Sequence, residues 1–394
     1  MLKTTRRSAL LAGPAMLAGA RRAQSQGGAN EIVIGGSIPL TGVFAFAGVG
    51  LNDGLSDYVR FVNEQGGVAG RRVRYVFEDT AYRVDQSVAA FNRLTSANRI
   101  NFYYGDSTGF AKAINPELRR RDDILMCGAS FATEINDPQN YPQQFMAGPD
   151  YSEMAGVLLE FIQRTQPGAR VALVHSDTEF GRDPIQPTEQ MAGRLGLRIV
   201  EKIVTPPGSV DVSTEVLKLR RANPDYTIMH GYVLAPLPEF IQQARQMNLR
   251  TRFMGTFWSM DNAGWARIGQ PADGMMGVNP YRYHYEEAAD APMVARIRRV
   301  KPEYQPLAYM KGWLTGMLFC EIARRTIEAG QPMSGTAMKA ALNSIRDFDT
   351  GGIIGAPVSI QGNTIPVGRV YRFDAAQRRM VPEGGWIRMS RSGA

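Results

Sequence analysis

Apolar positions along the chain switch repeatedly between two periods. From Glu31 the run EIVIGGSIPL reads as a strand. From about Gly50 to Gln65, Leu51, Leu55, Tyr58, Val59 and Val62 share one helical face. The alternation continues through RRVRYVFED (strand), VDQSVAAFNRLTS (helix), INFYYG (strand), AKAINPELRRR (helix) and ILMCGAS (strand). The plan then repeats. Helix MAGVLLEFIQRT precedes strand RVALVHSD, and a helix ending near Gly196 precedes strand RIVEKIVT. Helix TEVLKLRRAN, strand YTIMHGY, helix LPEFIQQARQMN and strand RFMGTF follow. Strands and helices in strict alternation imply parallel sheets covered by helices on both faces. The pattern predicts an α/β protein of two similar halves, a long apolar helix over residues 306–330 and a strand-and-turn tail.

Ligands of open parallel sheets sit beyond the carboxyl ends of the strands. The loops predicted to converge are therefore PLTGVFAFAG, GDSTGFAK, CGASFAT, HSDTEFGRD, HGYVLAP and GTFWSMDN. They carry the candidate ligand-binding residues Phe46, Ser107, Thr108, Ser130, Phe131, Phe180, Tyr232, Phe257 and Trp258, with Phe44 among the further aromatics. Hydroxyls beside a helix start suit an anion such as a carboxylate. Aromatic rings that meet at one cleft suit an apolar body.

Composition adds a destination. The chain has 394 residues, 44% of them hydrophobic, enough for two ordinary cores. Its longest apolar run, residues 9–20, is too short to span a bilayer. It follows Lys3, Arg6 and Arg7, an order that describes an export signal over residues 1–25, cleaved between residues 20 and 25. Arg6-Arg7, behind Thr4-Thr5 and ahead of Leu10-Leu11, fits the twin-arginine type. Removing Lys3, Arg6, Arg7, Arg21 and Arg22 lowers the net charge from +8 to +3. No basic block with interleaved aromatics remains, so no nucleic-acid partner is expected.

The two cysteines, Cys127 and Cys320, lie in apolar runs and read as buried free thiols. The three histidines lack metal-ligand spacing and no Walker sequence occurs, so neither metal nor cofactor is implied. GDSTG at residues 105–109 matches G-x-S-x-G, which raises a serine esterase using Ser107, with His175, His230 and His284 downstream. Anion binding by Ser107 and Thr108 is the simpler use of the same stretch.

IVIGGSIPLTGVFAFAG with the amphipathic helix after it, VNEQGGVAGRRV, FYYGDSTG, QQARQMNLRTRFMG and ADGMMGVNPYRY carry a resemblance in their order and spacing. Over nearly all of its mature length the chain resembles the extracytoplasmic solute-binding proteins of ABC transporters, of the branched-chain amino acid receptor type (type I periplasmic binding proteins). The resemblance implies two Rossmann-like lobes joined by three hinge crossings near residues 148–151, 278–281 and 352–356, with the ligand cleft between them. Lobe I would be residues 30–149 plus 280–353, and lobe II residues 150–279 plus 354–394. It further implies a periplasmic monomer that is not an enzyme and delivers a small-molecule ligand to permease subunits in the inner membrane.

Amino acid binders of this family hold the ligand carboxylate with Ser and Thr of the first lobe. Ser107 and Ser130 match those places, with Thr108 and Thr133 beside them. Phe180 and Tyr232 match aromatics that close from the second lobe, and Ala47, beside Phe46, matches a first-lobe aromatic. Where relatives put a carboxylate for the ligand's ammonium group stands Phe257, next to Trp258. A buried ammonium without that partner costs several kcal/mol. The expected ligand is therefore a carboxylate with an aromatic or hydrophobic body, not an α-amino acid. Asp261 and Glu179 are the nearby acids that would restore the alternative, a branched-chain or other amino acid.

Replacing Arg6 and Arg7 together by lysine is expected to leave the precursor in the cytoplasm, as cell fractionation would show. Normal export of that variant would mean the arginine pair is incidental.

Overall fold

The computed structural model describes residues 31–232 and 234–389; the predicted export signal lies outside them. Strand β1 (Glu31–Ile38) leads through α1 (Ala45–Glu64), β2 (Arg72–Asp79), α2 (Val84–Ala97), β3 (Phe102–Gly105), α3 (Thr108–Leu118) and β4 (Leu125–Gly128) to the short β5 (Gln144–Phe145). All five strands are parallel, in the order β2-β1-β3-β4-β5. Helices cover both faces, which is why β3 and β4 are buried throughout. On one face Phe91 of α2 and Phe110 of α3 pack against Tyr103.

The chain then builds most of a second sheet. Its elements are α4 (Tyr151–Thr165), β6 (Arg170–Ser176), α5 (Glu179–Arg182), α6 (Ile185–Arg194), β7 (Arg198–Thr205), α7 (Ser213–Ala222), β8 (Tyr226–His230), α8 (Leu237–Gln246), β9 (Arg252–Gly255), α9 (Asn262–Ile268) and β10 (Met276–Asn279). Helices α10 (Pro292–Val300), α11 (Leu307–Glu328) and α12 (Gly335–Asn343) return to the first sheet, where Phe319 of α11 stacks on Phe102 at 4.8 Å. Finally β11 (Val367–Asp374) and β12 (Arg379–Arg388) complete the second sheet, antiparallel at its edge, in the order β12-β11-β10-β9-β8-β6-β7. The architecture is two α/β lobes. Among the described residues no helix is long and apolar enough to cross a membrane. Cys127 and Cys320 are both buried and unpaired, as their apolar surroundings suggested.

Three stretches of chain pass between the lobes, and they are hydrogen-bonded to one another. Tyr281 Oη donates to Ala147 O at 2.6 Å, Ile365 N to Gly148 O at 3.2 Å, and Arg282 N to Ile353 O at 2.8 Å. Each sheet also reverses its strand order once, between β1 and β3 in the first and between β6 and β8 in the second. The loops after these strands diverge to opposite sides and leave a crevice, the usual ligand position in open α/β sheets.

One boundary differs from the sequence reading. Helix α1 begins at Ala45, five residues before the expected Gly50. Gly48 and Gly50 suggested a loop, but they serve close packing. A Cβ at Gly48 would stand 1.9 Å from Pro39 O, and one at Gly50 would stand 2.8 Å from Pro306 Cγ. The small elements β5, β10, α10 and α12 were too short or too weakly patterned to read from the sequence.

Helices α1 and α11 meet backbone to backbone. A Cβ on Gly54 would lie 2.1 Å from Tyr309 O, and one on Gly312 would lie 2.2 Å from Leu51 O. Gly54→Ala in an exposed helix gains about 1 kcal/mol. Here it is expected to cost roughly 1–3 kcal/mol, because neither backbone can yield. Denaturant unfolding would measure the loss, and an unchanged midpoint would refute the contact.

Candidate functional site

The loops at the two strand reversals face each other and enclose a small space. Its lining comprises Phe44, Tyr82, Asp106, Ser107, Thr108, Ala129 and Ser130 from the first lobe, and Tyr151, Phe180, Tyr232 and Trp258 from the second. The free volume is about 10 Å³, room for roughly one water. A ligand with an aromatic body enters only when the lobes or these rings move apart.

The floor is set by the start of α3. Ser107 is the N-cap: its Oγ accepts from Phe110 N at 3.1 Å and donates to Asp106 Oδ1 at 2.9 Å. Asp106 also takes protons from Thr80 Oγ1 and from Ser87 Oγ, the latter at 2.6 Å. Burial pushes the Asp106 pKa above the ordinary carboxylate value, and these hydroxyls pull it back. Ser107 has thus given its proton inward, and the donors left for an anion lie one residue on. Thr108 Oγ1 and Ser130 Oγ bond each other at 2.8 Å, and Ser130 Oγ accepts from Ala132 N at 3.0 Å. Whichever hydroxyl donates within the pair, the other keeps a free proton. The first N–H groups of α3 have no intrahelical acceptor and add to it.

The walls are aromatic. Phe44 lies 4.7 Å from Tyr82, 5.4 Å from Tyr232 and 4.9 Å from Trp258, ring centre to ring centre. Tyr82 is held at φ +62° and Ala81 at +48°, a left-handed pair unusual for non-glycine residues. The Asp79 carboxylate supports this turn by accepting from the N–H groups of Leu40, Thr41 and Ala81, which ties the loops after β1 and β2 together. In the second lobe Trp258 Nε1 donates to Tyr151 Oη at 3.0 Å, and Tyr151 packs on Phe180 at 5.2 Å. Behind them His230 Nε2 donates to Phe180 O at 2.9 Å, so its Nδ1 accepts from Thr256. Burial holds this ring neutral, with a pKa near 3.

Six of the nine candidate residues therefore share one space: Ser107, Thr108, Ser130, Phe180, Tyr232 and Trp258. Three stand elsewhere. Phe46 is inside α1, two residues past Phe44; its ring stands 6.4 Å from Tyr232 without lining this space, where Phe44 takes the position. Phe131 follows Ser130 but does not line this space; its ring is buried against Tyr151 and Phe257. Phe257 is buried against Phe131 at 5.2 Å and Tyr281 at 5.4 Å. Of the adjacent pair, Trp258 forms the cleft wall and Phe257 the packing behind it. Phe46 and Phe257 instead line a second small cavity, also about 10 Å³, with Ala47, Trp258, Asp261, Pro306, Leu307 and Ala308.

Sequence reasoning did not select Tyr82, Asp106 or Tyr151. Asp106 had a signal, since it sits inside the quoted GDSTG; Tyr82 depends on a backbone turn that no pattern announces. The two acids that would have served an ammonium are committed. Asp261 caps α9 through Ala263 N and accepts from Leu307 N at 2.8 Å and Tyr304 Oη at 3.3 Å. Glu179 is paired with Lys112 and Arg182. None of the three histidines is bonded to Ser107: His175 and His284 hold backbone carbonyls, and His230 is placed as above. Ser107 thus has no histidine partner of the kind the esterase pattern calls for.

A profile of the periplasmic binding protein family matches residues 31–377. The chain is 24% identical to the leucine-specific-binding protein of Salmonella typhimurium over 303 residues, 76% of this chain and 78% of that one. In structure it is similar to a branched-chain amino acid ABC transporter from Thermus thermophilus with bound valine, at TM-score 0.83 and 23% identity, covering 92% of this chain and 98% of that chain. It is also similar to a solute binding protein of an ABC transporter from Rhodopseudomonas palustris in complex with 3,4-dihydroxybenzoic acid. There the TM-score is 0.79 at 18% identity, covering 92% and 99%.

The lobes touch through polar contacts at the rim of the cleft: Tyr82 Oη to Tyr232 Oη at 3.0 Å, Lys112 to Glu179 at 3.3 Å, and Thr133 N to Asp183 Oδ2 at 2.8 Å. Burial pushes Asp183 up to about 6, against the pull of Thr133 N and Lys112 and helped by Asp150. When the lobes part, Asp183 meets water and returns towards its ordinary 3.8. The closed form then binds the proton more tightly, so closure is favoured as pH falls below 6 and loses that support as pH rises through it, by roughly 1–3 kcal/mol. Small-angle scattering is expected to give a smaller radius of gyration at pH 5 than at pH 7.5. Asp183→Asn should abolish the difference, and its persistence in that variant would exclude Asp183 as the cause.

Proposed function

The chain belongs to the periplasmic binding protein family, whose fold serves solute binding for ABC transporters and not enzymatic turnover, and on that premise we propose that it is the receptor for a small carboxylate with an aromatic or hydrophobic body. The observation that carries the reading is the composition of the cleft. Phe44, Tyr82, Tyr151, Phe180, Tyr232 and Trp258 surround a floor of hydroxyls and helix N–H groups, and the nearby acids Asp106, Asp261 and Glu179 are all engaged within the protein. An ammonium group would enter without a free carboxylate. A carboxylate would meet the Thr108–Ser130 pair and the start of α3, with its body stacked on the rings.

In this reading the lobes hinge about the three hydrogen-bonded stretches, with residues 30–149 and 280–353 in lobe I and 150–279 in lobe II; the hydrogen bonds of Val358, Ile360 and Asn363 to first-lobe residues move the expected last boundary from 354 to about Ile365. Ligand favours the closed form through its second-lobe contacts. The receptor works in the periplasm, as a monomer, and hands its cargo to permease subunits in the inner membrane. The chain's likeness to a leucine-specific-binding protein keeps branched-chain amino acids as the second reading.

Calorimetry with benzoate and with leucine separates the two. Benzoate is expected to bind and leucine not to. Trp258→Ala should weaken benzoate about ten- to over a hundredfold, the equivalent of roughly 1.5–3 kcal/mol of lost apolar contact. Micromolar binding of leucine by the wild type, or unchanged benzoate binding in the variant, would overturn the proposal.

A further inference from the structure

Helix α11 carries an amine that the site just described does not use. Lys311 is fully buried, and its Nζ has no hydrogen-bond partner and appears in no ion pair among the described residues. It rests 3.6 Å from the centre of the Phe131 ring. A ring face compensates a buried ammonium only in part. A methionine would fill the same volume without that cost, so packing alone does not explain an amine here.

Its position relates it to the ligand. Leu307 and Ala308, one turn earlier on the same face of α11, line the second cavity together with Phe46, Phe257 and Trp258. Helical side chains slant towards the helix N-terminus, which for Lys311 is the direction of that cavity. Phe131, whose ring covers the amine, follows Ser130 of the floor and touches Phe257. Trp258 borders both cavities. A ligand that extends past Trp258 into the second cavity would meet Phe257, which packs on the Phe131 ring, with the amine behind that ring. Turns of the Phe257 and Phe131 rings about their side-chain torsions would bring ligand and amine into contact.

We propose that Lys311 is a specificity-determining cation that recognises a second acidic group, so that the site takes a dianion with carboxylates at both ends of an aromatic body. This rests on the reading of the cleft as a receptor for an apolar carboxylate. One carboxylate lies on the Thr108–Ser130 pair and the start of α3; the other replaces the Phe131 ring as the partner of Nζ. The chemistry around the amine agrees. Burial draws its pKa down to about 7, with the Cys127 thiol the titratable neighbour that acts on it. An anion brought alongside restores the charged form, so the dianion should bind together with a proton above neutral pH.

Calorimetry on the mature chain at pH 8, in buffers of different ionisation enthalpy, tests this with terephthalate and benzoate as probes. Wild type is expected to prefer terephthalate at least tenfold and to take up a proton with terephthalate but not with benzoate. Lys311→Met should erase both the preference and the uptake, leave benzoate affinity within about twofold, and keep or raise the melting temperature. If the wild type shows no preference for the diacid, or if Lys311→Met retains it, the assignment fails while benzoate binding still supports the receptor. Failure of benzoate and terephthalate alike would overturn the receptor reading and this inference with it. Should Lys311→Met not fold, proton uptake by the wild type decides: uptake with terephthalate alone supports the assignment, and none overturns it.

Discussion

Much of the molecule depends on one helix crossing. Helix α11 comes after the second lobe's strand β10 in sequence, yet it lies on the first sheet with its backbone against α1, an approach that the glycines Gly50, Gly54, Gly312 and Gly316 permit. That contact sends the chain back from one lobe to the other and so creates three connections instead of one. It also places the start of α11 at the cleft. There Leu307 N donates to Asp261 of the second lobe, and Pro306, Leu307 and Ala308 border the cavity beside Trp258. Tyr309 Oη bonds Asp57 of α1 at 2.9 Å and fixes the helix in rotation, which in turn determines where Lys311 stands.

Hydrogen-bond accounting shapes the chemistry of the cleft more than its residue list does. Ser107, Thr108 and Ser130 look equivalent as a hydroxyl floor. Asp106 makes them different, because it consumes the Ser107 proton while the Thr108–Ser130 pair keeps one free. The acids that an amino acid ligand would want are likewise present but committed: Asp261 to capping α9 and holding α11, Glu179 to rim ion pairs. What is left facing inward is aromatic surface, one hydroxyl donor and a helix terminus. On that balance rests the proposal of an anionic, flat ligand over a zwitterion.

The same economy extends to the rim. Tyr82 and Tyr232 meet hydroxyl to hydroxyl across the lobes, and Asp183 reaches Thr133 N. These polar contacts would each be open to competition by water if the lobes separate as proposed. Contacts of this kind tune an opening equilibrium without locking it. The crossings are hydrogen-bonded to one another at Ala147, Gly148, Tyr281 and Ile353, which in the proposed hinge motion would keep the lobes registered.

The amino-acid sequence alone determined the alternation of strands and helices, hence the two parallel sheets and the loops on which a site had to lie. Those follow from local periodicity, since burial on both faces of a sheet is written into the central strands β1, β3, β4, β6 and β8. It also carried six residues of the cleft, because the alternation located the loops beyond the strand ends and these residues stand on them. Only the tertiary structure decided between neighbours. Phe44 and not Phe46 reaches the cleft because the helix starts early, and helix starts at glycines depend on what packs against them. Trp258 lines the cleft and Phe257 does not, although both border the second cavity, and a one-residue change in phase cannot be read from composition. Asp106's effect on Ser107 and the solitude of Lys311 are properties of three-dimensional neighbours, which no linear pattern contains.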